Sequence, residues 1–170
     1  MIGLKKVIVV LFLVSLAFIF SNHDEEIIIP NNAIRFRVIA NSDSVEDQMK
    51  KMEIKSAVEN KVYALINGEN NAIEVRNIIE DNMDTIKNIV EEYNVPYNIN
   101  YGNNYFPSKT YKGVMYPAGN YESLVITLGD GVGANFWCVL FPPLCLIDNS
   151  KEDISDVDYQ LYVKKLLKGF

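Results

Sequence analysis

Histidine is almost missing from this chain: His23 is the only one in 170 residues, and it follows an apolar N-terminal run at a distance in sequence from both cysteines. A Ser or Cys nucleophile is thereby left without its usual general base. Cysteine is nearly as scarce, with Cys138 and Cys145 alone, so a zinc site would need carboxylates to complete it. No Gly-x-Ser-x-Gly elbow occurs. A Lys/Arg cluster is also lacking, and a net charge of −6 with a pI near 4.8 excludes the basic stripe that a nucleic-acid partner requires. Paired carboxylates of the glycosidase kind are always available in an acidic chain, but no local motif marks a pair. The expectation is a binding or signalling protein, not an enzyme, with no catalytic residues, no cofactor, no metal and no nucleic-acid partner. An exported cell-wall hydrolase and a structural envelope protein stand as the alternatives.

The N-terminus carries an address. Lys5 and Lys6 precede a charge-free apolar run from Val7 to Phe20, and polar Ser21, Asn22, His23 and Asp24 follow, the layout of an export signal. The run is shorter than the roughly 20 residues that span a bilayer comfortably. Ile19-Phe20-Ser21 departs from the small-x-small cleavage pattern, so residues 1–21 read either as a cleaved signal peptide or as an uncleaved anchor. Export would place both cysteines where a disulfide is permitted.

An apolar content of 49% is enough for one domain with a buried core. Asp24 to Asn32 reads as an exposed lead-in. From Ala33 to Asn41, Ile34, Phe36, Val38 and Ala40 alternate with Arg35, Arg37 and Ile39, a strand with one apolar face. Ser44 with Asp47 approximates a capping box for a helix reaching about Asn67, with a stripe of Val45, Met49, Met52, Val58, Val62, Leu65 and Ile66. Asn71 with Glu74 opens a second helix, carried by Val75, Ile78, Ile79, Ile86, Ile89, Val90 and Tyr93 to Pro96. The short connection implies an antiparallel helical pair.

Strands and turns follow: Tyr97 to Tyr101, an edge-like element broken by Pro107 and Pro117, and Tyr121 to Leu128. The glycines at 129, 131 and 133 fit neither the dinucleotide nor the Walker spacing and read as a turn. After Asp148 an acidic connector leads to a tail helix with Tyr159, Tyr162, Val163, Leu166 and Phe170 on one face, which can dock on the domain, a membrane surface or a partner helix. The fold class is therefore α+β in a single compact domain: a strand, an antiparallel helical pair, then a mostly antiparallel sheet, with an N-terminal signal segment and a C-terminal amphipathic helix. The domain spans 33–148, and 149–170 is linker and tail.

The densest stretch runs from Asn135 to Asp148. It holds the only Trp, Trp137, both cysteines, Phe136, Phe141 and the Pro142-Pro143 pair, with no charge before Asp148. The prolines force a bend. Across that bend Cys138 and Cys145 either form a disulfide or remain as two buried thiols. The apolar run is either core or a gripping surface.

Several blocks of this chain resemble the stage II sporulation protein R family of endospore-forming bacteria: Ile34 to Asp43, Phe106-Pro107 with Lys109 and Tyr111, Tyr116-Pro117-Ala118-Gly119 with Tyr121, Ile126 to Gly129, and Gly133 to Cys145. The resemblance covers about Ala33 to Asp148. It implies a signalling protein made in the forespore and exported into the space between the two cell membranes. There it would activate a membrane-embedded aspartic peptidase that processes the precursor of the sigma-E factor. If the Asn135–Asp148 stretch is a gripping surface, the expected partner-binding residues are Arg35, Arg37, Phe136, Trp137, Phe141, Pro142 and Pro143. The N-terminal segment or the tail helix would supply any contact with a membrane surface.

Overall fold

The computed structural model describes residues 27–145 and 155–168, with positions 3 and 8. Apart from positions 3 and 8 the signal segment lies outside them, as do residues 146–154, which include part of the acidic connector, and Phe170. In chain order the elements are β1 (Ile27–Ile28), β2 (Ile34–Ile39), α1 (Val45–Ile66), α2 (Ala72–Asp81), α3 (Met83–Glu91), β3 (Tyr97–Phe106), β4 (Lys109–Tyr111), β5 (Val114–Tyr116), β6 (Gly119–Leu128), β7 (Asn135–Phe141) and α4 (Asp156–Leu167). The class is α+β, as expected from the sequence.

Two sheets form, not one. The main sheet has the order β3-β6-β2-β7 and the small one β1-β5-β4. β3 on β6, β7 on β2 and β4 on β5 are antiparallel, whereas β2 on β6 and β1 on β5 are parallel. The parallel pairings follow from chain order: β2 enters the sheet between two strands that come more than 70 residues later, and β6 reaches it in the same direction. The β4–β5 hairpin turns at Lys112 and Gly113, with φ of 49° and 75°, the positive pair that a two-residue turn matched to strand twist requires.

Period two on β2 places Ile34, Phe36 and Val38 against the helices, where Leu124, Ile126 and Leu128 of β6 join them. α1 starts where expected: the Ser44 hydroxyl accepts from the Asp47 N–H at 3.1 Å. Its buried row is Ile54, Val58, Val62 and Ile66, an i, i+4 ladder. Val45, Met49 and Met52, expected in the stripe, are exposed because they lie off that ladder. Lys51, Lys55 and Glu59 are instead buried beside it.

The expected second helix is two. At Asn82 the backbone leaves helical geometry (φ −107°, ψ 12°) and the side-chain amide donates to the Ile78 carbonyl at 2.8 Å, a local bond that competes with the helix. Val75 and Ile79 of α2 and Ile86 and Val90 of α3 still reach one core.

The other face of the main sheet is covered too. Ile27, Ile29, Val114 and Tyr116 pack with Val139, Leu144 and, from α4, Tyr159 and Val163. Ile27 and Ile29 are buried, so the expected exposed lead-in is structural at these two residues, while Ile28, Asn31 and Asn32 are exposed. The tail helix docks on the domain through Tyr159, Val163 and Leu166, while Tyr162 faces solvent. The glycine turn packs on Asn41–Asp43. The N–H groups of Asp130, Val132, Gly133 and Ala134 all donate to that segment or to Ala40. A Cβ at Gly133 would collide with the Ser42 backbone, so glycine serves close packing there.

Candidate functional site

The densest stretch folds as a strand and a turn. β7 carries Asn135 to Phe141 along the edge of the main sheet, paired with β2 in the register Arg37↔Trp137 and Arg35↔Val139. The chain reverses at Pro142-Pro143, and the Leu144 N–H donates back to the Val139 carbonyl at 3.1 Å. That reversal brings the Cα atoms of Cys138 and Cys145 to 5.4 Å, and a disulfide joins them.

Trp137 packs obliquely on Phe106 with centroids 5.6 Å apart and edge-on against Tyr116 at 5.8 Å. Lys109 brings its ammonium within 5.1 Å of the indole centre. Between β7, the β4–β5 hairpin and α4 lies a cavity of about 400 Å³, walled by Trp137, Tyr111, Tyr116, Tyr159 and Lys109 and bordered by β7 from Asn135 to Val139. No carboxylate among the described residues lines it.

Arg35 lies behind this wall. It is fully buried, with its guanidinium carbon 3.4 Å from the centre of the Tyr121 ring and 5.9 Å from that of Trp137. Its three nitrogens have no hydrogen-bond acceptor among the described residues. Arg37, half-buried, lies 4.1 Å over Phe106 and donates to the Tyr105 carbonyl at 3.3 Å. Burial lowers the pKa of both guanidinium groups, yet arginine remains charged at neutral pH.

The expected partner-binding set therefore divides. Phe136, Trp137, Pro143 and Arg37 are partly accessible. Arg35, Phe141 and Pro142 are buried, out of reach of a partner. Among the described residues neither arginine pairs with an acid; aromatic rings meet them instead. Sequence reading did not pick Lys109, Tyr111, Tyr116 and Tyr159 as site residues. Their chain distance from Trp137 hides them, although tyrosines at 111 and 116 flanking a glycine turn mark a hairpin.

One set of residues has the elements of a metal site: the Glu59 carboxylate and both cysteine sulfurs lie within 4.8 Å of one another. The sulfurs are committed to the disulfide and cannot serve as thiolate ligands. Glu59 bonds Lys55 at 2.6 Å in the same buried layer. Lys55 lies 4.6 Å from the centre of the Phe136 ring, so β7 rests on an ion pair on this side.

An α+β domain with an aromatic cavity on the edge strand of its main sheet is the class these features define. The sequence model of stage II sporulation protein R matches residues 30–151, and the chain belongs to that family. It is similar to Stage II sporulation protein R of Bacillus subtilis (strain 168), with 40% identity over 135 residues that cover 76% of this chain and 60% of the relative. The chain thus matches less than two thirds of that protein's length. No solved structure matches it.

Proposed function

We propose that this chain is an exported signalling protein of sporulation that activates, by contact, a membrane-embedded aspartic peptidase processing the precursor of the sigma-E factor. Its site of action is the space between forespore and mother-cell membranes, reached through the N-terminal segment as a signal or a tether. Membership of the family supports the sporulation role. The observation that carries the contact role is the Trp137 face: an aromatic cavity on an edge strand, held in place by the Cys138–Cys145 disulfide. Such a disulfide suits an extracytoplasmic compartment.

A ligand shifts a two-state partner only by its differential affinity for the two states, so an effective trigger needs about 3–5 kcal/mol of preference. Buried aromatic anchors at the centre of an interface supply energies of that size. Trp137 and Tyr111 are placed to receive such an anchor.

The test is processing of the precursor in a reconstituted membrane that holds the peptidase, with and without this protein. Processing that appears only with the protein supports the activator role. Equal processing in both, or none in either, counts against it.

A further inference from the structure

The cavity beside Trp137 has an unusual border: five consecutive residues of β7, Asn135 to Val139, line it. Neighbouring side chains of a strand point to opposite faces. A cavity that touches all five therefore lies along the strand's backbone edge, and β7 is the edge strand of its sheet.

Hydrogen bonds give the same orientation. The Ala40 carbonyl, just beyond β2, accepts from the Gly133 N–H, so alternate β2 residues at 38 and 36 turn their backbone groups toward β7. Their partners are Phe136 and Cys138. On β7 this leaves Asn135, Trp137 and Val139 turned outward, and the Val139 carbonyl does accept from the Leu144 N–H of the turn. By the same alternation the N–H and C=O of Trp137 face the open edge. Across the cavity, β4 is likewise the edge strand of the small sheet.

Charge selects the occupant. Among the described residues no acid lines the cavity, Lys109 has no carboxylate partner, and Arg35 and Arg37 stand behind the aromatic wall without one. A concentration of unneutralised cations in a protein of net charge −6 is complementary to an acidic ligand.

We propose that the open edge of β7 from Asn135 to Val139 is a strand-addition site for an extended, acidic segment of a partner protein. The segment's main chain pairs with Trp137, alternate side chains enter the aromatic cavity, and its carboxylates meet Lys109. This mode gives affinity through backbone hydrogen bonds and selectivity through alternate pockets. The proposal rests on reading the Trp137 face as a contact surface, and it does not depend on the identity of the peptidase.

Trp137 is the only tryptophan, so its emission reports the site directly. The full chain in detergent would be titrated with a capped octapeptide alternating Glu and Val. Controls are the same peptide with alternate backbone amides N-methylated, a Lys/Val counterpart, and a soluble peptidoglycan fragment. The Glu/Val peptide is expected to shift the emission saturably and the controls to fail. Lys109→Glu, at an exposed position, should weaken binding about fivefold or more.

Equal binding by the N-methylated peptide would overturn strand addition, and equal binding by the Lys/Val peptide would overturn the charge argument. A response to the peptidoglycan fragment alone would make this a glycan site. Precursor processing that proceeds while no acidic peptide binds would overturn the strand-addition site and leave the activator role standing. Peptide binding without processing would support the site and count against the peptidase.

Discussion

Arg35 lies flat against Tyr121, its guanidinium carbon 3.4 Å from the ring centre, in a place where no solvent reaches it. A charge with aromatic faces and, among the described residues, no acceptor for its N–H groups carries a large desolvation cost that cation–π contact offsets only in part. Replacing Arg35 by Met, which keeps much of the volume and removes the charge, should leave stability unchanged or raise it. Arg35→Ala should cost about 3 kcal/mol through the cavity it opens. Urea unfolding of both variants decides, and an equal loss in both would show that the charge itself is stabilising.

The Cys138–Cys145 bridge closes a short loop. Reduction, or Cys138→Ser with Cys145→Ser, should lower stability by about 2.5 kcal/mol on the chain-entropy account. Because Cys138 adjoins Trp137 on β7 and its bridge closes the turn that follows, indole emission should change at reductant concentrations that leave far-UV dichroism intact. Identical unfolding midpoints with and without reductant would contradict this.

Acid should weaken the fold through Glu122. Its carboxylate takes two bonds from Arg76, at 2.6 and 2.5 Å, and one from the Tyr101 hydroxyl at 2.7 Å. The Arg76 bonds lead in holding its pKa below the ordinary 4.5. A folded-state pKa below the unfolded one means stability fully present above the unfolded value and lost as pH falls through the folded one. Wild type should therefore lose more stability than Glu122→Gln between about pH 5 and pH 3. Parallel pH profiles would rule the linkage out.

Trp137→Ala removes ring contacts with both Phe106 and Tyr116 and should destabilise by about 3 kcal/mol. Loss of signalling in that variant would therefore mix folding with contact. Trp137→Tyr retains a ring, and Lys109→Glu leaves the aromatic part of the wall intact, so these two separate the effects. Signalling that survives Lys109→Glu in full would mean that the cationic rim has no part in it.

Docking of α4 depends on Val163, which is fully buried. Val163→Asp buries an unpaired carboxylate and should release α4, raising amide exchange over Asp156–Leu167 while β2 and β6 stay protected. Unchanged exchange in α4 would show that its other contacts suffice.

What the sequence determined by itself was local. Alternation on β2, the Ser44 cap of α1, the proline bend, the glycine turn and the α+β class all arise from interactions within a few residues, where period, caps and φ restrictions are written in adjacent side chains. A cysteine pair seven apart across two prolines belongs to the same kind of information. The tertiary structure decided what lay across the chain. Arg35 reads as a partner-binding residue on the polar face of β2 until Phe106, Tyr116, Tyr121 and Trp137 close over it, and Val45 and Met49 read as part of the apolar stripe until the Ile54–Val58–Val62–Ile66 ladder takes the contact. The Trp137 cavity exists only because a hairpin near residue 112, a strand near 137 and a helix near 159 converge, and burial of that kind is set by long-range packing that no window of sequence contains.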